Sequence, residues 1–340
     1  MSATIKDIAK ETNLALSTIS KYINGGNVRL KNKQLIDDAI RKLNFVPSNT
    51  ARGLRAAKTY RVGLISGAPD NPHNSRLLSE IESNMRANGY SLLFMNRDLY
   101  DKNTEKVLEQ MLRSGVDGII ITSLGVLSGS GLSVSDINVP IVELEEGSQT
   151  GQFDYVQTSC TTGTYELIEH LIKMGHKKIA AINGIKGSAT AIERKRGFLR
   201  AMEDYGISVN PDYMISGGYQ IEYGYKSMHK LWQLPDHPTA VFFSNYNICL
   251  GAYEAIYELG IRIPEDLSVV SFDDFELSLM LSPQLTAVRQ PLKELAEHAC
   301  DLLLRRMHGD YEDFPKRIRL KPECFYRDSV SCLNPLENET

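Results

Sequence analysis

The sequence predicts a small all-α helix-turn-helix head followed by an α/β core of two doubly wound parallel-sheet subdomains. Three observations carry this expectation. The chain has 340 residues, more than a single core of about 250–300 residues accommodates. Its charge is split: residues 1–60 hold eleven Lys and Arg against four Asp and Glu, a formal +7, so the net −4 of the whole chain leaves −11 on the remainder. Third, runs of helical period fill the basic segment, whereas strand-like apolar runs alternate with amphipathic stretches in the acidic one.

In the head, Ile5, Ile8 and Ala9 recur at helical spacing behind Thr4, a residue type that caps helix N-termini. After a break at Asn13-Leu14-Ala15, Ile19 and Ile23 mark a second helix, stopped by Asn24-Gly25-Gly26-Asn27. Ile36, Ala39, Ile40 and Leu43 mark a third, ending at Asn44 with Pro47 beyond. Two short helices joined by a tight turn, with a third across them, make a helix-turn-helix unit. The spacing alone fits a helical bundle without DNA equally well.

From Tyr60 onward, strands are predicted at Arg61–Ser66, 90–95, 118–122 and 140–144, then at 178–182, 213–215, 240–243 and Ser268–Phe272. Helical segments fit between most of them, which predicts βα units. Four strands and then four more imply two similar subdomains. Open parallel sheets bind ligands beyond the carboxyl ends of their strands, so two facing sheets predict a cleft.

Composition narrows the chemistry. At 42% hydrophobic and 24% charged, the chain is ordinary globular protein. It has no apolar run near the ~20 residues of a membrane helix and no secretory-type leader, so a cytoplasmic location and no membrane partner are expected. Cys160, Cys249, Cys300, Cys324 and Cys332 form no CxxC pair, and the seven histidines no HxxxH or HxH pair, so neither metal nor cofactor is expected. Neither GxSxG nor GxxxxGK[ST] occurs, and Gly125–Ser133 lacks GxGxxG, so no catalytic residues are assigned.

The residues themselves go further. Thr4-Ile5-Lys6-Asp7-Ile8-Ala9-Lys10, then residues 17–25 (Ser-Thr-Ile-Ser-Lys-Tyr-Ile-Asn-Gly) and residues 45–55 (Phe-Val-Pro-Ser-Asn-Thr-Ala-Arg-Gly-Leu-Arg) resemble the head of the lactose-repressor/galactose-repressor family of bacterial transcription regulators. The likeness continues to residue 329 through Gly115-Val116-Asp117-Gly118, Gly175-His176-Lys177-Lys178, Pro264-Glu265-Asp266-Leu267, Phe272-Asp273-Asp274 and Val288-Arg289-Gln290-Pro291. It implies a periplasmic-binding-protein-like core and a repressor of carbohydrate-related genes that is not an enzyme. It also implies a homodimer on a near-palindromic DNA operator, controlled by a small sugar or sugar derivative. The rival readings are a cytoplasmic sugar-binding protein and a sugar-processing enzyme without operator function.

By the same resemblance, residues 1–46 form the DNA-binding domain and 47–60 the hinge helix and linker. Residues 61–162 with 290–321 form the N-terminal subdomain, 163–289 with 322–330 the C-terminal subdomain, and 331–340 a flexible tail. That tail contains Pro335 and no heptads, so it predicts no coiled coil. Leu16, Ser17, Thr18 and Lys21 fall at the start and body of the groove-entering helix. Leu54 matches a minor-groove wedge, and Thr4, Arg29, Asn49 and Arg52 suit phosphate contacts. His73, Glu145, Arg194, Tyr219, Asn245 and Asp273 fall at effector positions. From sequence alone Asp273 also fits a helix cap, and Arg194 a surface charge beside Glu193, Lys195 and Arg196. Where the family commonly has two aromatics and an Asp-Arg pair, this chain has His73-Asn74 and Glu145-Glu146. The added carboxylates predict a polar site suited to an amino sugar or another hydroxyl-rich ligand.

Overall fold

The computed structural model describes residues 3–23, 26–45, 58–97, 106–122, 136–146 and 151–333. Residues 1–60 and 61–340 are separate compact units.

The first unit contains α1 (Ile5–Thr12), α2 (Leu16–Ile23) and α3 (Leu30–Lys42). The Thr4 backbone N–H and hydroxyl both donate to the Asp7 carboxylate, at 2.8 and 2.7 Å, closing the first turn of α1. Asn13 ends it in the left-handed conformation, φ 53°. The periodic Ile8, Ile19, Ile36 and Ala39 meet in one small core, ringed by Ile5, Leu14, Tyr22 and Phe45. The Tyr22 hydroxyl donates to Asp37 at 2.5 Å, tying α2 to α3. The predicted stop at Asn24-Gly25 and the Pro47 break lie outside the described residues.

The second unit contains two six-stranded sheets. The first comprises β1 (Arg61–Ser66), β2 (Ser91–Asn96), β3 (Gly118–Ile121), β4 (Ile141–Leu144), β5 (Asp154–Thr158) and β11 (Arg317–Leu320), all parallel, in the order β11-β5-β4-β3-β1-β2. The second comprises β6 (Ile179–Asn183), β7 (Met214–Ser216), β8 (Ala240–Phe243), β9 (Ser268–Phe272), β10 (Thr286–Arg289) and β12 (Glu323–Phe325), in the order β12-β10-β9-β8-β6-β7. Only β12 runs antiparallel to its neighbour there. Central strands such as Gly118-Ile119-Ile120-Ile121 are buried throughout, as expected when helices cover both faces.

Helices α4 (Pro72–Ala87), α5 (Val107–Arg113) and α11 (Leu292–Met307) pack on the first sheet. Helices α6 (Cys160–Lys173), α7 (Ala189–Asp204), α8 (Ile221–Trp232) and α9 (Tyr246–Glu258) pack around the second, and short α10 (Glu276–Met280) follows β9. The chain crosses between sheets three times: after β5, after β10 at Gln290-Pro291, and between β11 and β12 at Lys321-Pro322. In the first sheet the side chains of Asp154 and Arg306 form an ion pair at 2.7 Å with no solvent exposure, joining β5 to α11.

The expectation of four strands plus four is thus corrected to six plus six. The missing strands, β5, β10, β11 and β12, are short and carry polar residues, as in Arg317-Ile318-Arg319-Leu320. β11 and β12 are sheet edges, and β5 and β10 lie next to them; such segments become strands by pairing with their neighbours, which local hydrophobicity does not report. Among the described residues, no helix is long and apolar enough to cross a membrane.

Candidate functional site

Two surfaces collect the predicted residues, one on each unit. On the head, Ile19 turns inward to the core while Ser17 and Lys21, one turn apart, are exposed on α2. Leu16, at the first position of α2, is 43% exposed, and Thr18 is half-buried. Thr4 and Arg29, each just before a helix, are exposed. Gly26 closes the turn behind α2: its N–H donates to the Lys21 carbonyl at 2.8 Å, and a Cβ there would come within 2.7 Å of the Lys21 side chain. Polar groups with one exposed leucine therefore stand at the start of a helix whose far face is locked into the core. Asn49, Arg52 and Leu54, with most of the predicted hinge segment, lie outside the described residues.

On the core, a cavity of about 380 Å³ opens at the carboxyl ends of strands from both sheets. His73, Glu145, Arg194, Tyr219 and Asp273 line it, together with Asn71, Asn74, Arg97, Thr122 and Gln290. Among the described core residues, Glu145 (φ 64°) and Asp273 (φ 81°) are the two non-glycine residues with left-handed backbones. Each follows a strand end, and such strain persists where surrounding contacts hold it, typically at functional sites. The Glu145 N–H donates to Val156 and its carbonyl accepts from the Tyr155 hydroxyl at 2.6 Å. The Asp273 N–H donates to Val288.

Asn71 caps α4 by accepting from the His73 N–H, which fixes His73 in the first turn. His73 Nε2 then reaches Glu145 Oε2 at 2.5 Å. Burial opposes the imidazolium, but the Glu145 carboxylate overrides it, so His73 titrates above the usual histidine range. Burial likewise opposes the carboxylate, and His73 overrides it, holding Glu145 below the usual range.

Across the cleft, Arg194 is 5% exposed, so the surface-charge alternative is corrected. It lies 4.0 Å over the Phe272 ring and donates through Nη1 to the Ser244 carbonyl at 2.5 Å. Asp273 accepts from Gln290 Nε2 at 2.7 Å and from the Tyr246 N–H at 3.3 Å. Two buried polar atoms, Arg194 Nε and Gln290 Oε1, have no protein partner. The hydroxyl of Tyr219 lies 2.8 Å from Ser188 Oγ; burial, and after it the nearby Glu146 charge, pushes its pKa up to about 12.

Asn245 does not line the cavity. Its side chain accepts from the Ile248 N–H at 3.0 Å and caps α9, while Asn247 faces the cavity instead. Glu146 is also engaged: it accepts from the Ser188 and Thr190 hydroxyls and from the Ala189 N–H. Gln290 was missed because it follows β10, a strand the sequence pattern did not reveal; once β10 is known, the strand-end rule selects Gln290. Among the described residues no cluster of His, Cys, Asp and Glu is arranged to hold a metal ion.

Comparison with known proteins agrees on both units. Residues 4–48 match the model of "Bacterial regulatory proteins, lacI family", and residues 168–330 match the "Periplasmic binding protein-like domain". The "HTH-type transcriptional repressor PurR" of Pasteurella multocida (strain Pm70) is 34% identical over 333 residues, 96% of this chain and 98% of that protein. The structure of the lac repressor dimer bound to operator and the anti-inducer ONPF matches with a TM-score of 0.84 at 24% identity, over 97% of this chain and 100% of that one. A LacI family transcriptional regulator from Enterococcus faecium with bound ribose matches with a TM-score of 0.71 at 26% identity, over 81% and 100%. The chain belongs to the lacI family of bacterial regulatory proteins and is a DNA-binding transcription regulator of that family.

Proposed function

We propose that this regulator is a repressor of carbohydrate-related genes, released from or fixed to its operator by a neutral, hydroxyl-rich small molecule bound in the cleft. In this reading residues 1–46 read DNA, residues 47–60 form the hinge, and the two subdomains of the core close on the effector. A homodimer presents two copies of α2 to a near-palindromic operator, with Leu16, Ser17, Thr18 and Lys21 toward base edges and Thr4, Arg29, Asn49 and Arg52 toward phosphates. Leu54 wedges the minor groove.

The observation that carries the effector reading is the pair of buried, unpartnered atoms in the cleft, Arg194 Nε and Gln290 Oε1, one donor and one acceptor. Leaving such atoms unmatched costs about 1–3 kcal/mol each, a penalty that ligand hydroxyls, which both donate and accept, remove. The Tyr219 ring supplies an apolar face for sugar C–H groups. A volume of about 380 Å³ suits a small ligand, and the ribose-bound relative supports the same class. A cationic amino sugar is disfavoured, because Glu145 is paired with His73 and Glu146 is already satisfied by donors.

Effector control requires different effector affinities in the DNA-competent and DNA-incompetent states. The test is a thermal-shift panel of pentoses, hexoses, disaccharides and nucleobases on the full chain, repeated with a selected operator fragment. A neutral sugar is expected to raise the melting temperature and to change operator affinity. Stabilisation by nucleobases alone refutes the sugar class, and turnover of a bound sugar revives the enzyme alternative.

A further inference from the structure

The Glu146 carboxylate sits at the N-terminus of α7 and collects four donors there. Ser188 Oγ stands at 2.6 Å, Thr190 Oγ1 at 2.5 Å, the Ala189 N–H at 2.9 Å and the Thr190 N–H at 3.3 Å. Glu146 comes from the end of β4 in the first sheet, while its donors follow β6 in the second. The contact therefore spans the cleft. A helix N-terminus with free N–H groups attracts an anion, and the two hydroxyls enlarge that preference. Independently, Arg194 on the same helix lines the cavity, is more than nine-tenths buried, and has an unpartnered Nε. The cleft thus contains the parts of an anion-binding cradle, and the chain fills it with its own carboxylate.

We propose that Glu146 is a selectivity determinant: a built-in anion that occupies the α7 cradle, so that the cleft accepts neutral effectors and rejects phosphorylated or carboxylated ones. The proposal rests on the reading of this cleft as the effector site. An incoming phosphate finds the α7 N–H groups and both hydroxyls engaged, and it meets a carboxylate where it needs a cation. The rest of the lining gives little relief. Among the described residues, Asp70, Glu145, Glu146 and Asp273 face the cavity against Arg97, Arg194 and the His73 imidazole, which is already paired with Glu145. A sugar and its phosphate ester, otherwise alike in shape and hydroxyl pattern, are thereby told apart by one side chain.

The test uses the full chain as wild type, E146A and E146S, titrated with millimolar inorganic phosphate at an ionic strength held constant with chloride, then with ribose and ribose 5-phosphate. Calorimetry and melting temperature give the readout. Wild type is expected to show no saturable phosphate binding. Both variants are expected to gain it with at least tenfold higher apparent affinity, and adding T190A is expected to reverse much of the gain. E146S keeps the question answerable if E146A does not fold. Equal binding of phosphate or ribose 5-phosphate by wild type and variants overturns the proposal, as does the absence of any gain in both variants. A phosphate gain with no ribose response anywhere supports the cradle while removing the sugar reading of the cleft.

Discussion

His73 Nε2 and Glu145 Oε2 face each other at 2.5 Å in the lining of the core cavity, joining the first turn of α4 to the end of β4. With His73 raised and Glu145 lowered, both groups are charged over the same pH window. The histidine contribution is complete below its ordinary value of 6.5 and disappears as pH rises through the higher folded value. The carboxylate contribution is present above its ordinary 4.5 and disappears as pH falls through the lower folded value. The pair therefore stabilises most between those two ordinary values. H73Q removes the paired charge from buried Glu145, leaving it the Thr158 hydroxyl and the field of Arg194, and is expected to cost about 3 kcal/mol in that window. Chemical denaturation of wild type and H73Q across pH is expected to show the gap shrinking on the alkaline side; a constant gap contradicts the ion pair.

Asp273 holds the Gln290 amide at 2.7 Å from a left-handed backbone position. Asparagine tolerates that conformation, so D273N isolates the charge better than D273A. D273N is expected to remove most of the effector-induced stabilisation, which is about 2.7 kcal/mol when the ligand stands at a hundred times its Kd. Operator affinity without effector is expected to stay within twofold of wild type by fluorescence anisotropy. A change in DNA affinity alone contradicts the assignment.

Lys21 and Ser17 share the exposed side of α2. K21A is expected to lower specific operator affinity by about 1–3 kcal/mol and to narrow the margin over random DNA, whereas K21R is expected to sharpen guanine preference through its planar fork. S17A is expected to relax preference at one base position. Competition binding against single-base operator variants reads both effects. With a formal +7 on the first sixty residues, affinity is expected to fall steeply with salt, and a flat log–log plot contradicts phosphate anchoring.

The Asp154–Arg306 pair has no exposed side-chain surface, and Arg306 also reaches the Asp310 carbonyl at 2.6 Å. D154A leaves a buried guanidinium short of its main partner and is expected to cost about 3–5 kcal/mol by urea denaturation. Near-native stability contradicts the structural role given to this pair.

The sequence by itself determined the elements whose signal is local. Ile8, Ile19 and Ile36 announce their helices because one buried stripe repeats every turn, and Gly118-Ile119-Ile120-Ile121 announces a strand because both faces are covered. The resemblance placed His73, Glu145, Arg194, Tyr219, Asn245 and Asp273 around one cleft, and all of these but Asn245 line the cavity. Tertiary structure decided what local patterns do not encode. β11 and β12 exist through pairing at the sheet margins: the alternating arginines of β11 and the three residues of β12 gave no apolar run to read. Asn245 and Asn247 are two residues apart, and only the seating of α9 sends the first to an N–H group and the second to the cavity. Arg194 stands among charged neighbours in sequence, yet the packing of α7 against Phe272 and Ser244 buries it. Glu146 carries a full charge in the sequence, and only the approach of α7 from the other sheet converts that charge into an internal ligand. A side chain's chemistry is written in the chain; which of its possible partners it meets depends on distances set by segments far apart in sequence.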